Sequence, residues 1–286
     1  MNWQREIAKE IEANPIVIEG RITLPREVFE KSADSVKGMS QMDALLSLVS
    51  LPLPNQEPIE HSQDIGLFRS LASTDYFDKA HRLVAKVPAK MSTKEGDRIK
   101  AQRAELNQDN RIGYCLFVEI SLKPRLCVIK LEHRKRMRIG VIRRALRDSK
   151  RIPQARTELF ARGLLEGLKG EWATSLHLLI PQTENLIREA MRECGVETIK
   201  VKEDGHHEEM DLNELLFRPE LGRLFGAHFI SELRSLLVER TGMNLRNKVC
   251  HGLMDSDEFE DQSCIYLWWL ILKLLLEKPQ LDIPST

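Results

Sequence analysis

Ser263-Cys264-Ile265-Tyr266-Leu267-Trp268-Trp269-Leu270-Ile271-Leu272-Lys273-Leu274-Leu275-Leu276-Glu277-Lys278 decides how the rest of the chain is read. Its apolar side chains recur on every side of a 3.6-residue period rather than along one stripe. A helix over residues 263–278 must therefore be covered all round and sit at the centre of a bundle. A membrane is the other home for such a helix, but the apolar run 265–276 contains Lys273 and falls far short of the ~20 residues that span a bilayer.

Moving outward, the composition agrees with helices. Charged residues make up 30% and aromatics 6% of the 286 residues, a soluble helical balance rather than that of sheets. Upstream of the quoted stretch, residues 228–240 place Phe229, Leu233, Leu236 and Leu237 at i, i+4, i+7 and i+8, and a short helical piece covers 212–225. Residues 171–194 set Trp172, Leu176, Leu179, Ile180, Leu186, Ile187, Ala190 and Met191 on one face. Pro181 should kink or break that helix, and Gly195 should stop it. Residues 155–168 are helical in type. Gly163-x3-Gly167-x2-Gly170 lacks both a Lys-Ser/Thr pair and a preceding strand, so it reads as close helix packing and not as a phosphate loop. In 114–131 two apolar runs flank Lys123-Pro124, and we read helix there rather than hairpin. The first half is punctuated by Pro25, Pro52 and Pro54 and reads as short helices. The expectation is an all-α protein, with a helical N-terminal module over 1–150 followed by a C-terminal helical bundle over 154–280.

Five scattered cysteines without a CxxC pair fit a reduced, cytoplasmic setting, and residues 1–14 carry no apolar signal core. The formal net charge is zero, but between residues 123 and 162 fourteen Lys or Arg meet only Glu132, Asp148 and Glu158. That stretch carries +11 and the remainder −11. Such a belt, with Arg134, Lys135, Arg136 and Arg138 at its middle, can track a phosphate backbone; it can equally be a solvated helix surface.

The chemistry concentrates in Asn244-Leu245-Arg246-Asn247-Lys248-Val249-Cys250-His251-Gly252. Arg246 and His251 lie about 140° apart in a regular helix, so they converge only if Arg246 stands at the helix entrance. Gly242 and the capping candidate Asn244 make such an entrance, whose first turn would offer backbone N–H groups to a phosphate. Asn247 and His251, at i and i+4, share a face on which the amide could orient the imidazole, and Lys248 adds charge. A proton-moving imidazole and a phosphate-gripping guanidinium are what metal-independent RNA cleavage needs, since RNA brings its own 2′-hydroxyl nucleophile. The alternative from the same residues is an arginine paired with an acid of the bundle and a histidine closing a helix turn. His206-His207-Glu208-Glu209 could supply metal ligands, but adjacent side chains rarely converge on one ion, so no metal site or other cofactor is expected. Cys250 points elsewhere than His251 and is no partner to it.

The string from Leu245 to Gly252 resembles the Arg-Asn-x3-His-Gly signature of a domain family of the HEPN superfamily. The resemblance extends to Ala161-Arg162-Gly163-Leu164, Gly170-Glu171-Trp172, His177 through Arg188, Pro219-Glu220-Leu221 and Leu236-Leu237, about residues 154–276. It implies a HEPN-like bundle with Arg246, His251 and Asn247 as site residues, and His177, Glu184 and Arg188 stack along one helix face beside them. A Glu184–Arg188 salt bridge is the plainer account of two of these. It further implies an endoribonuclease of toxin or phage-defence kind, single-stranded RNA or tRNA as partner, a homodimer, and room for a regulatory partner or antitoxin. The superfamily also holds non-catalytic modules that bind RNA or nucleotides.

Overall fold

The computed structural model describes residues 26–54, 73–77, 81–133, 138–147, 149 and 151–277. The chain is predominantly helical and divides into two compact units, Met1–Val28 with His61–Gln102, and Phe29–Glu60 with Arg103–Thr286. This division falls elsewhere than residue 150. In the smaller unit β1 (Thr74–Phe77) pairs antiparallel with β2 (Leu83–Val87), Thr74 opposite Val87, with an irregularity between Tyr76 and Phe77.

The larger unit is built around the quoted stretch. Its helices are α1 (Arg26–Asp34, which begins at the boundary), α2 (Gln41–Val49), α3 (Glu95–Phe117, most of whose length lies here), α4 (Lys123–His133), α5 (Ile139–Arg147), α6 (Thr157–Lys169) and α7 (Trp172–Glu193). After them come β3 (Ile199–Val201), β4 (His207–Glu209), α8 (Leu212–Leu215), α9 (Pro219–Phe225), α10 (Ala227–Leu237), α11 (Leu245–Cys250) and α12 (Gln262–Leu276). Every residue of α12 from Ser263 to Leu275 is buried, and it packs against α2, α6 and α7. Three of its polar side chains find backbone acceptors on α6 and at the end of α2. Trp268 Nε1 donates to Leu164 O (3.2 Å) and Trp269 Nε1 to Leu48 O (2.7 Å). Lys273 Nζ donates to Val49 O and Leu51 O, both at 2.9 Å, so the ammonium closes the C-terminal end of α2. No helix among the described residues is long and apolar enough to cross a membrane.

The glycines of α6 are a packing seam. A Cβ on Gly163 would stand 2.6 Å from Leu179 Cδ2, and one on Gly167 would stand 2.2 Å from Trp268 Nε1. Between α3 and α4 the helix widens to a π turn over Val118–Leu122, closed by Lys123 N–H donating to Val118 O. Pro124 lacks an N–H, and the wider turn lets the chain stay helical around it. Pro181 leaves α7 unbroken from Trp172 to Glu193, contrary to a local break, with its ring on the exposed side. Gly195, at φ +72°, ends the helix as expected. Pro25 lies outside the described residues.

Candidate functional site

Gly242 sets the site's position. The chain leaving α10 turns so tightly that Met243 N–H donates to Ser235 O (2.8 Å), and a Cβ on Gly242 would lie 2.2 Å from that oxygen. Asn244 then takes the left-handed conformation (φ 52°, ψ 36°), which asparagine tolerates better than most residues. It stands at the start of α11 but does not cap it with its side chain. Instead its Oδ1 accepts from Asn247 Nδ2 (2.7 Å). Leu245 and Val249, one turn apart, are buried and anchor α11, which packs on α7 and α10.

This anchoring turns Arg246 toward α7. Its Nε donates to Glu184 Oε2 at 3.3 Å and its Nη1 to Asn247 Oδ1 at 3.3 Å, with the guanidinium 21% exposed. Glu184 Oε1 accepts from Arg188 Nη2 (3.0 Å), which also reaches Met210 O (3.0 Å), while Arg188 Nε stands 3.2 Å from Glu209 Oε2. Glu209 also pairs with Arg192, which meets Glu189 at 3.0 Å. Three guanidinium groups thus alternate with three carboxylates along one face of α7, and the set is electrically balanced. Glu209 and the Met210 carbonyl belong to the β3–β4 hairpin, which the sequence analysis does not anticipate. The signal was Asp204-Gly205 between Ile199-Lys200-Val201 and His207-Glu208-Glu209.

His251 stands elsewhere. It follows α11 directly, its N–H donates to Asn247 O (3.1 Å), and Gly252 (φ +63°) reverses the chain behind it. The side chain is exposed and its ring makes no hydrogen bond among the described residues. The Asn247 amide is spent on Asn244 and Arg246, so it does not orient the imidazole as the spacing suggested. His177 stacks along α7 as expected, but its Nδ1 donates to Ala173 O (2.7 Å) and its ring packs on Phe259 (centroids 5.6 Å apart). Lys248, two residues from Arg246 on a helix, lies on the opposite side, within electrostatic reach of Cys264. Partial burial pushes the Cys250 thiol up, Arg246 opposing and Glu184 adding to the shift, which keeps it a neutral bystander.

Of the basic belt, Arg134, Lys135 and Arg136 lie outside the described residues, while Arg138 is exposed just before α5. Much of the described remainder is engaged: Arg143 and Arg162 share Glu158, Lys123 pairs with Glu119, and Arg125 donates to Ser121 O. Arg144 and Arg147 stand exposed on α5. In the acidic hairpin His206 turns to Asp204 (3.1 Å), Glu208 to Lys202 (2.9 Å) and Glu209 to the arginines. Among the described residues no three His, Cys, Asp or Glu gather in a way that could hold a metal ion.

No family model matches the chain, and neither does any curated protein or solved structure.

Proposed function

We propose that the α11 site makes this protein a metal-independent endoribonuclease of the HEPN type, with Arg246 as the phosphate-binding residue and His251 as the proton carrier. The observation that supports it most is an exposed imidazole, with no hydrogen bond among the described residues, at the C-terminal end of the six-residue helix that carries the Arg246 guanidinium. In the proposed step the substrate 2′-oxygen bonds to phosphorus and loses its proton to His251, while the bond to the 5′-oxygen breaks and that oxygen takes up a proton. Arg246 would stabilise the charge growing on the phosphate. A homodimer would place a second His251 near the first, one as base and the other as acid, and the cations at Arg138, Arg144 and Arg147 would hold the RNA backbone.

A second reading rests on a specific observation: the Nε edge of Arg246 is committed to Glu184, as in an ion pair that only holds α11 to α7. The site is then a non-catalytic RNA- or nucleotide-binding or interaction module. One experiment separates the two. Purified protein is incubated with mixed cellular RNA in excess chelator, with His251→Ala and Arg246→Lys beside it. Cleavage should persist in chelator and leave 2′,3′-cyclic phosphate ends. His251→Ala should lower the rate by ~10²- to 10⁴-fold, and Arg246→Lys should fail because an ammonium loses the two-pronged grip. Activity lost in chelator and restored by magnesium or manganese refutes the mechanism, and folded protein that cuts no RNA leaves the binding module.

A further inference from the structure

Away from α11, and sharing no residue with that site, the larger unit holds a cavity of about 400 Å³. It lies where the chain after α2, the turn before α6, the end of α9, the start of α10 and the end of α12 come together. That volume is within the range of small-molecule sites, roughly 300–1,000 Å³. Its walls divide by chemistry. Leu53, Leu224, Phe225 and Phe229 give an apolar and aromatic side, whereas Arg151, Arg223, His228 and Lys273 bring positive or protonatable groups against a single carboxylate among the described residues, Glu277.

The charges differ in how well they are already answered. Lys273 is spoken for by two carbonyls and by Glu277 at 2.8 Å, which also uses up the one acid. His228 Nε2 stands 3.4 Å from Glu232 Oε1. Arg151 is half-buried, donates once among the described residues, to Leu274 O (2.8 Å), and lies over the Phe225 ring (5.7 Å). Burial pulls its basicity down, with Glu277 acting weakly the other way. Arg223 is exposed and has no partner among the described residues. Two guanidinium groups therefore look onto a cavity whose only acid among the described residues is already paired. A guanidinium in that state is suited to an oxyanion, and best to phosphate, whose oxygens match its planar fork. The apolar wall would be wasted on a bare anion and fits an aromatic group attached to it.

We propose that this cavity binds a small organic phosphate of nucleoside monophosphate size, with Arg151 and Arg223 on the phosphate and the Phe225–Phe229 wall on the ring system. The proposal does not depend on the α11 site being catalytic. Calorimetry on the full chain tests it with the four common nucleoside monophosphates, the corresponding nucleosides, inorganic phosphate and pyrophosphate. At least one monophosphate should bind more tightly than both its nucleoside and inorganic phosphate. Arg223→Ala should weaken it about ten- to hundredfold with little change in melting temperature, since Arg223 is exposed and makes no hydrogen bond or ion pair among the described residues, and Arg223→Lys should recover part of the loss. Arg151→Lys, which keeps a donor for Leu274 O, should weaken binding as well. No binding of any probe at millimolar concentration, or binding that Arg223→Glu leaves untouched, overturns the proposal. Pyrophosphate or phosphate binding without any nucleotide overturns it too, because the apolar wall then has no part.

Discussion

Arg246 meets Glu184 with the same Nε edge that it would offer to a phosphate, so the two must compete. The proposed RNA-binding role then predicts a tug between fold and function at one carboxylate. Glu184→Gln keeps the shape, removes the charge and leaves Arg246 freer. RNA affinity should rise severalfold by filter binding, while chemical denaturation shows a loss of about 1–3 kcal/mol from the two charge-assisted bonds. Loss of stability with unchanged RNA affinity would make Arg246 a structural tie. This residue-level picture was only half legible beforehand. Spacing alone makes Glu184 and Arg188 neighbours on α7, and the string around Arg246 marks itself by its chemistry. The Arg246–Glu184 bond spans 62 residues, and no local pattern encodes a contact at that separation. The left-handed Asn244 was hidden for a different reason: a residue type favoured at caps is also one that tolerates positive φ, and the sequence does not say which property is used.

Among elements, the clearest agreement between pattern and structure is the seam of α6. Gly163 and Gly167 both read as close packing, and the structure separates them. Beyond Gly163 lie Cγ and Cδ2 of the buried Leu179, which has no hydrogen bond to hold its side chain in place; beyond Gly167 lies a tryptophan ring fixed by its bond to Leu164 O. Gly163→Ala should therefore cost less than Gly167→Ala, because the leucine can shift where the tied indole cannot and improved helix propensity of ~1 kcal/mol offsets part of the crowding. Gly167→Ala should cost about 1–3 kcal/mol or more through overpacking. Denaturant midpoints of the two variants measure the contrast, and equal effects would contradict it. α12 was legible for a related reason, since an all-round apolar surface leaves a helix one place to go. The two hairpins were not. β3 and β4 are three residues each and nearly all exposed, so they lack the alternation that burial imposes on a strand.

For the molecule as a whole, the expected boundary near residue 150 rested on a change in signal strength, whereas compactness follows which segments share a core. Tyr114 stacks on Tyr266 with centroids 4.3 Å apart, and Ser149 donates to Leu275 O, so residues before 150 complete the bundle. The junction of α5 with α6 carries a pH signature. Glu158 accepts from Arg143 and from Arg162, which hold its carboxyl down to about 2. A carboxyl so depressed adds stability that is fully present above the ordinary carboxylate range and disappears as pH falls toward about 2, because the unfolded chain takes up the proton first. Glu158→Gln should accordingly lose less stability than the unaltered protein between about pH 5 and about pH 2.5, and added salt should shrink the difference because the three side chains stand in solvent. Parallel losses in acid would show the triad to be inert.

The bonds from Lys273 to Val49 O and Leu51 O have a meaning for the assembling chain as well as for the finished one. They join positions 224 and 222 residues apart, and the neighbouring Trp269 bond spans 221. The Val49 and Leu51 carbonyls at the end of α2 thus meet their side-chain donor only when α12 arrives, and α12 can hide its ammonium there only when α2 is waiting. Neither partner gains much from local structure formed earlier, so the closing of this long loop falls late, and the entropy of bringing its ends together sets the pace.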